Sequence, residues 1–347
     1  MSKVQQLSLH QFMAFDEKTL FEFSPGINVF IGPNSTGKTL AMKAIYALLK
    51  VCETAHRDKI VKDPTRLNVA MSDKLQGVFK PDTIGRLVRR GRGRKTGSIE
   101  VQYNDRSAQA TISTLNKVLF TANPVPEPVP SIFLPAHEFL STSEGFVFAY
   151  KNREMLFDET YYDLSLALGG LPLKGPTLEA IKTLVAPLEK ELGGKITKKG
   201  ERFYVRLKEG NMEATILSEG YRKITGLIYL LNNGSLTQNG ILFWDEPEAN
   251  LNPKLVTVVI STLQSLILSG IQVFIATHDY LVSQKLSLLA EYNLESNLKF
   301  FAFRQPKRGA GVIVESGGTL AEIQHNSILD EFAALYDQEM EFFQKTS

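Results

Sequence analysis

A single cysteine, Cys52, stands in a chain of 347 residues. One thiol excludes an intrachain disulfide framework and a zinc cluster built from cysteines, and it fits a reducing compartment. No apolar run reaches the roughly 18 residues that a membrane span needs. The opening stretch MSKVQQLSLHQF holds no apolar core of a signal peptide. The expectation is a cytoplasmic chain without membrane association. Neither sign of charge dominates, since 39 Lys and Arg meet 37 Asp and Glu. Nothing global therefore demands nucleic acid or a lipid surface. Internal repeats and sustained heptads are also missing, which excludes a solenoid and a long coiled coil. The apolar content of 43% and charged content of 22% are those of a globular protein. Its length suits one large domain with a side lobe, or two domains.

Short β-rich runs open the chain: LSLHQF, TLFEFS and INVFIG, the last two separated by a turn at SPG. GPNSTGKT follows, then a helical run with Leu40, Ala44, Ile45, Leu48 and Leu49 on one side. Residues 57–95 hold 12 Lys or Arg against 4 Asp or Glu, a local balance of +8. Within them RLVRRGRGRK reads as a loop. Hairpins are expected around Asn104-Asp105 and around Lys199-Gly200. The proline-rich TANPVPEPVP leads into an apolar strand, SIFLPA, and residues 138–192 read mostly as helix. From residue 240 strand and helix alternate, as GILFW, PKLVTVVISTLQSLILSG, IQVFIAT, DYLVSQKLSLLAEY, LKFFAF and GVIVE. That alternation predicts a parallel sheet with crossover helices. An acidic amphipathic helix, SILDEFAALYDQEMEFFQ, comes last.

GPNSTGKT, residues Gly32, Pro33, Asn34, Ser35, Thr36, Gly37, Lys38 and Thr39, fills the pattern G-x-x-x-x-G-K-[ST] between an apolar strand and a helix. Its glycines let backbone N–H groups approach phosphate oxygens, and the helix start adds partial positive charge. Lys38 is expected to reach the β- and γ-phosphates, and Thr39 to hold Mg²⁺ through its hydroxyl. The apolar run Ile241–Trp244 fits a buried strand, with Asp245 and Glu246 emerging where ligands bind in open α/β sheets. Asp245 would orient Mg²⁺ or its water. Glu246 would polarise the attacking water, the task that phosphoryl transfer to water sets. VFIATHDY is a further strand whose end places His278 at the same edge, as a γ-phosphate sensor. ILSEGYRKI poses a separate question. A small hydroxyl and a glycine ahead of Arg222 and Lys223 at a helix start suit an anion, yet no phosphate cradle lies within the stretch.

These motifs together resemble the ABC-type ATPases of the SMC, RecF and OLD branch. GPNSTGKT is similar to their Walker A, ILFWDE to their Walker B, EANLNP with Asn250 to their D-loop, and ATHD to their His switch. LSEGYRK is similar to their signature, usually written LSGGQ. It differs at Glu219, where many members have Gly, and at Tyr221, where many have Gln. The likeness covers residues 4–50 and 213–282. It implies an α/β P-loop ATPase head: a parallel sheet with crossover helices, an antiparallel N-terminal subdomain and an inserted helical, basic lobe. It also implies ATP and Mg²⁺ as cofactors. The rest of the anion site of LSEGYRK is then implied to lie on a second copy of the chain. Ser218 and Gly220 of one copy would face the γ-phosphate on the Walker A of the other, with Lys223 or Arg222 adding a cation.

The expected organisation is 1–56 as the first ATPase half, 57–130 as a basic arm with a hairpin, 131–212 as a helical lobe, and 213–347 as the second half. FLPAHEFLSTSEGFVFAY resembles a segment of small bacterial AAA-type ATPases often written PAREVLS, with His137 in place of Arg. His137 and Glu138 are candidates for touching Mg²⁺ or the lytic water, or else are structural. No D-x-D motif of an appended metal nuclease is present. The function that the resemblance implies is an ATP-driven homodimeric switch acting on a nearby-encoded effector or on DNA, in the manner of bacterial defence systems. A RecF-like DNA repair ATPase and the nucleotide-binding subunit of a transporter are the alternatives. Arg89, Arg90, Arg92, Arg94 and Lys95 are the candidate contact with DNA or RNA.

Overall fold

The computed structural model describes residues 3–152, 155–292, 297–307 and 309–346. Three strands come first: β1 (Val4–His10), β2 (Thr19–Glu22) and β3 (Ile27–Ile31). Helices α1 (Lys38–Arg57) and α2 (Pro64–Phe79) lead to β4 (Thr96–Tyr103), β5 (Arg106–Ser113), β6 (Val118–Thr121) and β7 (Ser131–Leu134). A helical stretch holds α3 (Phe146–Asn152), α4 (Glu159–Leu168) and α5 (Pro176–Leu192). A small meander of β8 (Lys195–Lys199), β9 (Arg202–Arg206) and β10 (Asn211–Glu213) precedes α6 (Glu219–Asn232). The alternating part is β11 (Ile241–Asp245), α7 (Pro253–Leu268), β12 (Gln272–Thr277), α8 (Tyr280–Tyr292) and β13 (Leu298–Arg304). The strand β14 (Ile313–Gly317) and the helix α9 (Ser327–Thr346) follow.

Among the described residues the strands form three sheets. The largest has the order β14-β13-β3-β12-β11-β7. Its members from β13 to β7 run parallel, and β14 returns antiparallel along β13. Parallel order brings the carboxyl ends of β3, β12, β11 and β7 to one edge, and a ligand site in such sheets lies there. Strand alternation sorts the side chains. Ile27, Val29 and Ile31 of β3 and Leu242 and Trp244 of β11 enter a core shared with α6, α7 and α8. Phe30, Phe243, Phe274 and Phe301 enter the opposite core, shared with α1, α2 and the antiparallel sheet. A period of two in a sheet covered on both faces requires this.

The second sheet is antiparallel, in the order β2-β1-β4-β5-β6. Residues 57–130, expected as a basic arm with a hairpin, carry three of these strands and the helix α2. Strand β4 pairs with β1, β5 and β6 extend the sheet from it, and α2 buries Leu67, Met71, Leu75 and Val78 in the same core as α1. The Asn104-Asp105 hairpin forms as expected, with Asn104 at φ 52, in the left-handed region that a tight turn needs. No described helix is long and apolar enough to cross a membrane.

Candidate functional site

The loop after β3 is shaped by two glycines. Gly32 has φ 138, and a Cβ there would stand 2.3 Å from the carbonyl oxygen of Phe303 on β13. Gly37, the N-cap of α1, has φ 94 and faces Phe15 and Ala14. Only glycine meets both demands without strain. Thr36 Oγ1 donates to Pro33 O at 2.8 Å and closes the loop. Lys38 is buried, and its ammonium donates to the carbonyls of Gly32 (2.6 Å) and Pro33 (2.8 Å). Burial lowers its pKa, with Asp245, Glu246 and Glu248 opposing that shift. The ammonium thus lies in the ring of the loop, where a phosphate would meet it.

Thr39 Oγ1 lies 3.0 Å from each carboxylate oxygen of Asp245. The two residues are far apart in sequence and are brought together by the packing of α1 against the parallel sheet. Burial pushes the Asp245 carboxyl up to about 6, against the pull of the Thr39 hydroxyl. A hydroxyl and a carboxylate on one spot are hard oxygen donors, the set that Mg²⁺ takes beside phosphate and water. Among the described residues no group of three or more His, Cys, Asp or Glu could hold a metal ion. The Thr39–Asp245 pair fits a magnesium ion that draws its other ligands from a nucleotide.

Glu246 follows in the left-handed region, at φ 47. Its N–H donates to Ala276 O of β12 at 2.8 Å, and its carboxylate lies 3.1 Å from His278 Nδ1. The sheet thus brings the ends of β3, β11 and β12 together with the residues that the sequence nominated on them. Thr277 and Asp279 serve the frame. Thr277 Oγ1 donates to Glu248 at 2.6 Å, and Asp279 accepts from Val282 N at the start of α8.

Ser218 is the exposed N-cap of α6, and its side chain makes no capping bond. Gly220 is buried against the turn after β11. A Cβ there would stand 2.7 Å from Asn250 O and 2.6 Å from Leu251 Cδ2. The two cations expected to serve a second copy are engaged within their own chain. Arg222 Nε lies 2.7 Å from Glu138 Oε1, and its guanidinium also donates to the carbonyls of Thr215 and Leu217. Lys223 donates to the carbonyls of Glu246 (3.3 Å) and Ala249 (3.1 Å). Glu138 is thereby bound to α6. His137, one residue earlier, is exposed in the loop after β7, beside the end of β11.

The basic stretch divides. Arg90, Arg92 and Arg94 are exposed. Arg89 instead pairs with Asp16 at 3.2 Å and donates to Met13 O, Ala14 O and Gly309 O. Lys95 donates to Gln11. Ala14 and Phe15 abut Gly37, so Arg89 braces the wall of the phosphate loop and does not lie outside it. No motif announces that brace; only the approach of Gln11–Asp16 to the loop reveals it.

The site's residues fall within two family matches. Residues 6–121 match a model described as "AAA domain". Residues 127–283 match one described as "AAA domain, putative AbiEii toxin, Type IV TA system". No curated protein matches the chain. Among solved structures, the SMC head bound to the C-terminal winged-helix domain of ScpA aligns with a TM-score of 0.54 at 13% identity, covering 91% of this chain and 98% of that one. The SMC head with an extended coiled coil, bound to the C-terminal domain of ScpA from Pyrococcus furiosus, aligns with a TM-score of 0.53 at 12% identity. That alignment covers 96% of this chain and all of the other. The chain thus carries an AAA-domain match on each half and has the fold of an SMC head, which is consistent with an ABC-type P-loop ATPase of the SMC- and RecF-like kind.

Proposed function

We propose that the chain binds ATP with Mg²⁺ and hydrolyses it as a closed pair of copies. The observation that carries this reading is the convergence of Thr39, Asp245, Glu246 and His278 at one sheet edge, with 3.0 Å between Thr39 and Asp245 and 3.1 Å between Glu246 and His278. Gly32–Thr39 cradle the phosphates, with Lys38 on the β- and γ-groups. Thr39 and Asp245 hold the magnesium ion, which neutralises phosphate charge. Glu246 accepts hydrogen bonds from the attacking water and orients it, and His278 steadies Glu246 and reads the γ-phosphate. Ser218, Gly220 and Asn250 complete the site from the second copy. The free Ser218 hydroxyl supports that role, because it is not spent on its own helix.

ATP closes the pair and hydrolysis reopens it, so the chain is a switch and its output passes to a protein partner. The similar SMC heads are bound to parts of ScpA, and the AAA model over residues 127–283 carries a toxin–antitoxin description. The first favours a protein effector and the second a role in bacterial defence. The exposed Arg90, Arg92 and Arg94 favour a second reading, in which the switch acts on DNA.

The decisive substitution is Glu246→Gln. It retains ATP binding and loses turnover by about a hundredfold or more, because the water loses its orienting carboxylate. Lys38→Ala weakens nucleotide binding itself. Hydrolysis by Glu246→Gln at the parental rate would overturn the catalytic assignment.

A further inference from the structure

Lys223 is a buried cation whose described bonds go to main-chain carbonyls. Burying an ammonium is unfavourable, and a methionine of similar length would fill the same space without that cost. The carbonyls that hold it mark its use. One belongs to Glu246, the other to Ala249. They lie on a turn bounded by two left-handed residues that are not glycine, Glu246 at φ 47 and Asn250 at φ 64. Such a conformation costs of order 1–3 kcal/mol per residue and persists only where its surroundings impose it.

The surroundings are the first turns of α6. Gly220 and Lys223 are three apart and share a helix face. Gly220 admits the Asn250 backbone, and Lys223 ties both ends of the segment from Glu246 to Ala249. The main chain of Glu246 is thus held on two sides, by Ala276 O of β12 at its N–H and by Lys223 at its carbonyl.

We propose that Lys223 is a positioning residue for Glu246, coupling the signature helix of each copy to the water-orienting carboxylate of its own site. When the N-terminus of α6 closes on the nucleotide of the other copy, the same helix sets Glu246 at home, so the two sites of a pair fire together. The inference rests on the reading of Glu246 given above.

The test is Lys223→Met in the full chain, with Glu246→Gln as control. The expected result is a split. ATP affinity and the melting temperature stay close to the parent, while kcat falls about tenfold or more with KM little changed. The double variant Lys223→Met, Glu246→Gln still pairs on ATP in light scattering, because nucleotide binding and closure do not use the ammonium. A packing role alone would lower the melting temperature without that split. Should the methionine variant not fold, Lys223→Gln is read by the same measures. A parental kcat beside an inactive Glu246→Gln overturns the coupling and leaves the ATPase reading intact. An active Glu246→Gln removes both. Equal losses in melting temperature, affinity and kcat also overturn the proposal, in favour of plain packing.

Discussion

Asp245 sits where burial and chemistry conflict. Its carboxyl is held at about 6 against an ordinary 3.8, with desolvation the main cause and Glu246 adding to it. A raised carboxyl pKa means that folding favours the protonated form. Metal-free protein is therefore relieved of this penalty below about pH 4, and the relief is lost as the pH rises through 6. The shift corresponds to at most about 3 kcal/mol between those limits. Glu248, also raised by burial, acts in the same direction. Without Mg²⁺ and nucleotide, the melting temperature at pH 5 should exceed that expected from the pH 8 value and the Asp245→Asn profile. Asp245→Asn should flatten this part of the profile, and saturating Mg·ATP should raise the wild type most at pH 8. An unchanged pH profile in Asp245→Asn would show that the carboxyl is not strained by burial. Asp245, Glu246 and Lys38 are legible in sequence because the motif places each at a strand end or loop with one chemistry. Lys223, Arg222 and Arg89 are not. Their partners are carbonyls or a carboxylate brought near by the fold, and no spacing rule encodes such approaches.

At the scale of elements, the strands β3, β11 and β12 are legible because each is a short, mostly apolar run buried between two layers. The position of β7 beside β11, and the union of β4–β6 with β1, are set by pairing between distant segments that periodicity cannot see. That union alters the reading of the basic stretch. It is the loop that enters β4, anchored at Arg89 and Lys95, with Arg90, Arg92 and Arg94 free to meet a polyanion. Each duplex phosphate met by one cation contributes a slope of about −0.9 in log affinity against log salt, so three contacts give roughly −3. Glycines between the arginines let the backbone follow a phosphate chain. Aromatics are scarce there, so binding should ignore sequence. Replacing Arg90, Arg92 and Arg94 by Gln should flatten the slope and spare basal ATPase, provided Arg89 is left in place to brace the phosphate loop. Titration of duplex and single-stranded DNA across a salt series, with ATP present, measures both proteins. Absence of salt-sensitive binding in the wild type would remove nucleic acid as the target and leave the stretch to an acidic protein surface.

On the scale of the whole molecule, the question is whether one copy suffices. In the proposed reading one copy supplies the phosphate loop, the Thr39–Asp245 pair for magnesium and the carboxylate of Glu246 that orients the water. Its Ser218 and the start of α6 form a second surface, fixed to the turn from Glu246 to Leu251 through Gly220 and Lys223. A two-fold pair in which each copy lends that surface to the other makes two equal sites, as an isologous interface requires. Complementation between damaged chains tests this. Lys38→Ala chains keep an intact signature, and Ser218→Arg chains keep an intact phosphate loop. Pairs of either kind alone contain no whole site. A mixed pair joins the good loop of one chain to the good signature of the other and has one whole site. Random mixing in equal amounts makes about half of the pairs mixed, so hydrolysis per chain should recover to roughly one quarter of the wild-type rate. Coupling through Lys223 that speeds one site when the other also closes would lower this recovery below one quarter without abolishing it. A mixture no more active than the sum of its parts would sink the composite site. So would a wild-type rate per chain that stays constant on dilution far below the concentration at which the pair dissociates, because a lone copy would then be doing the chemistry.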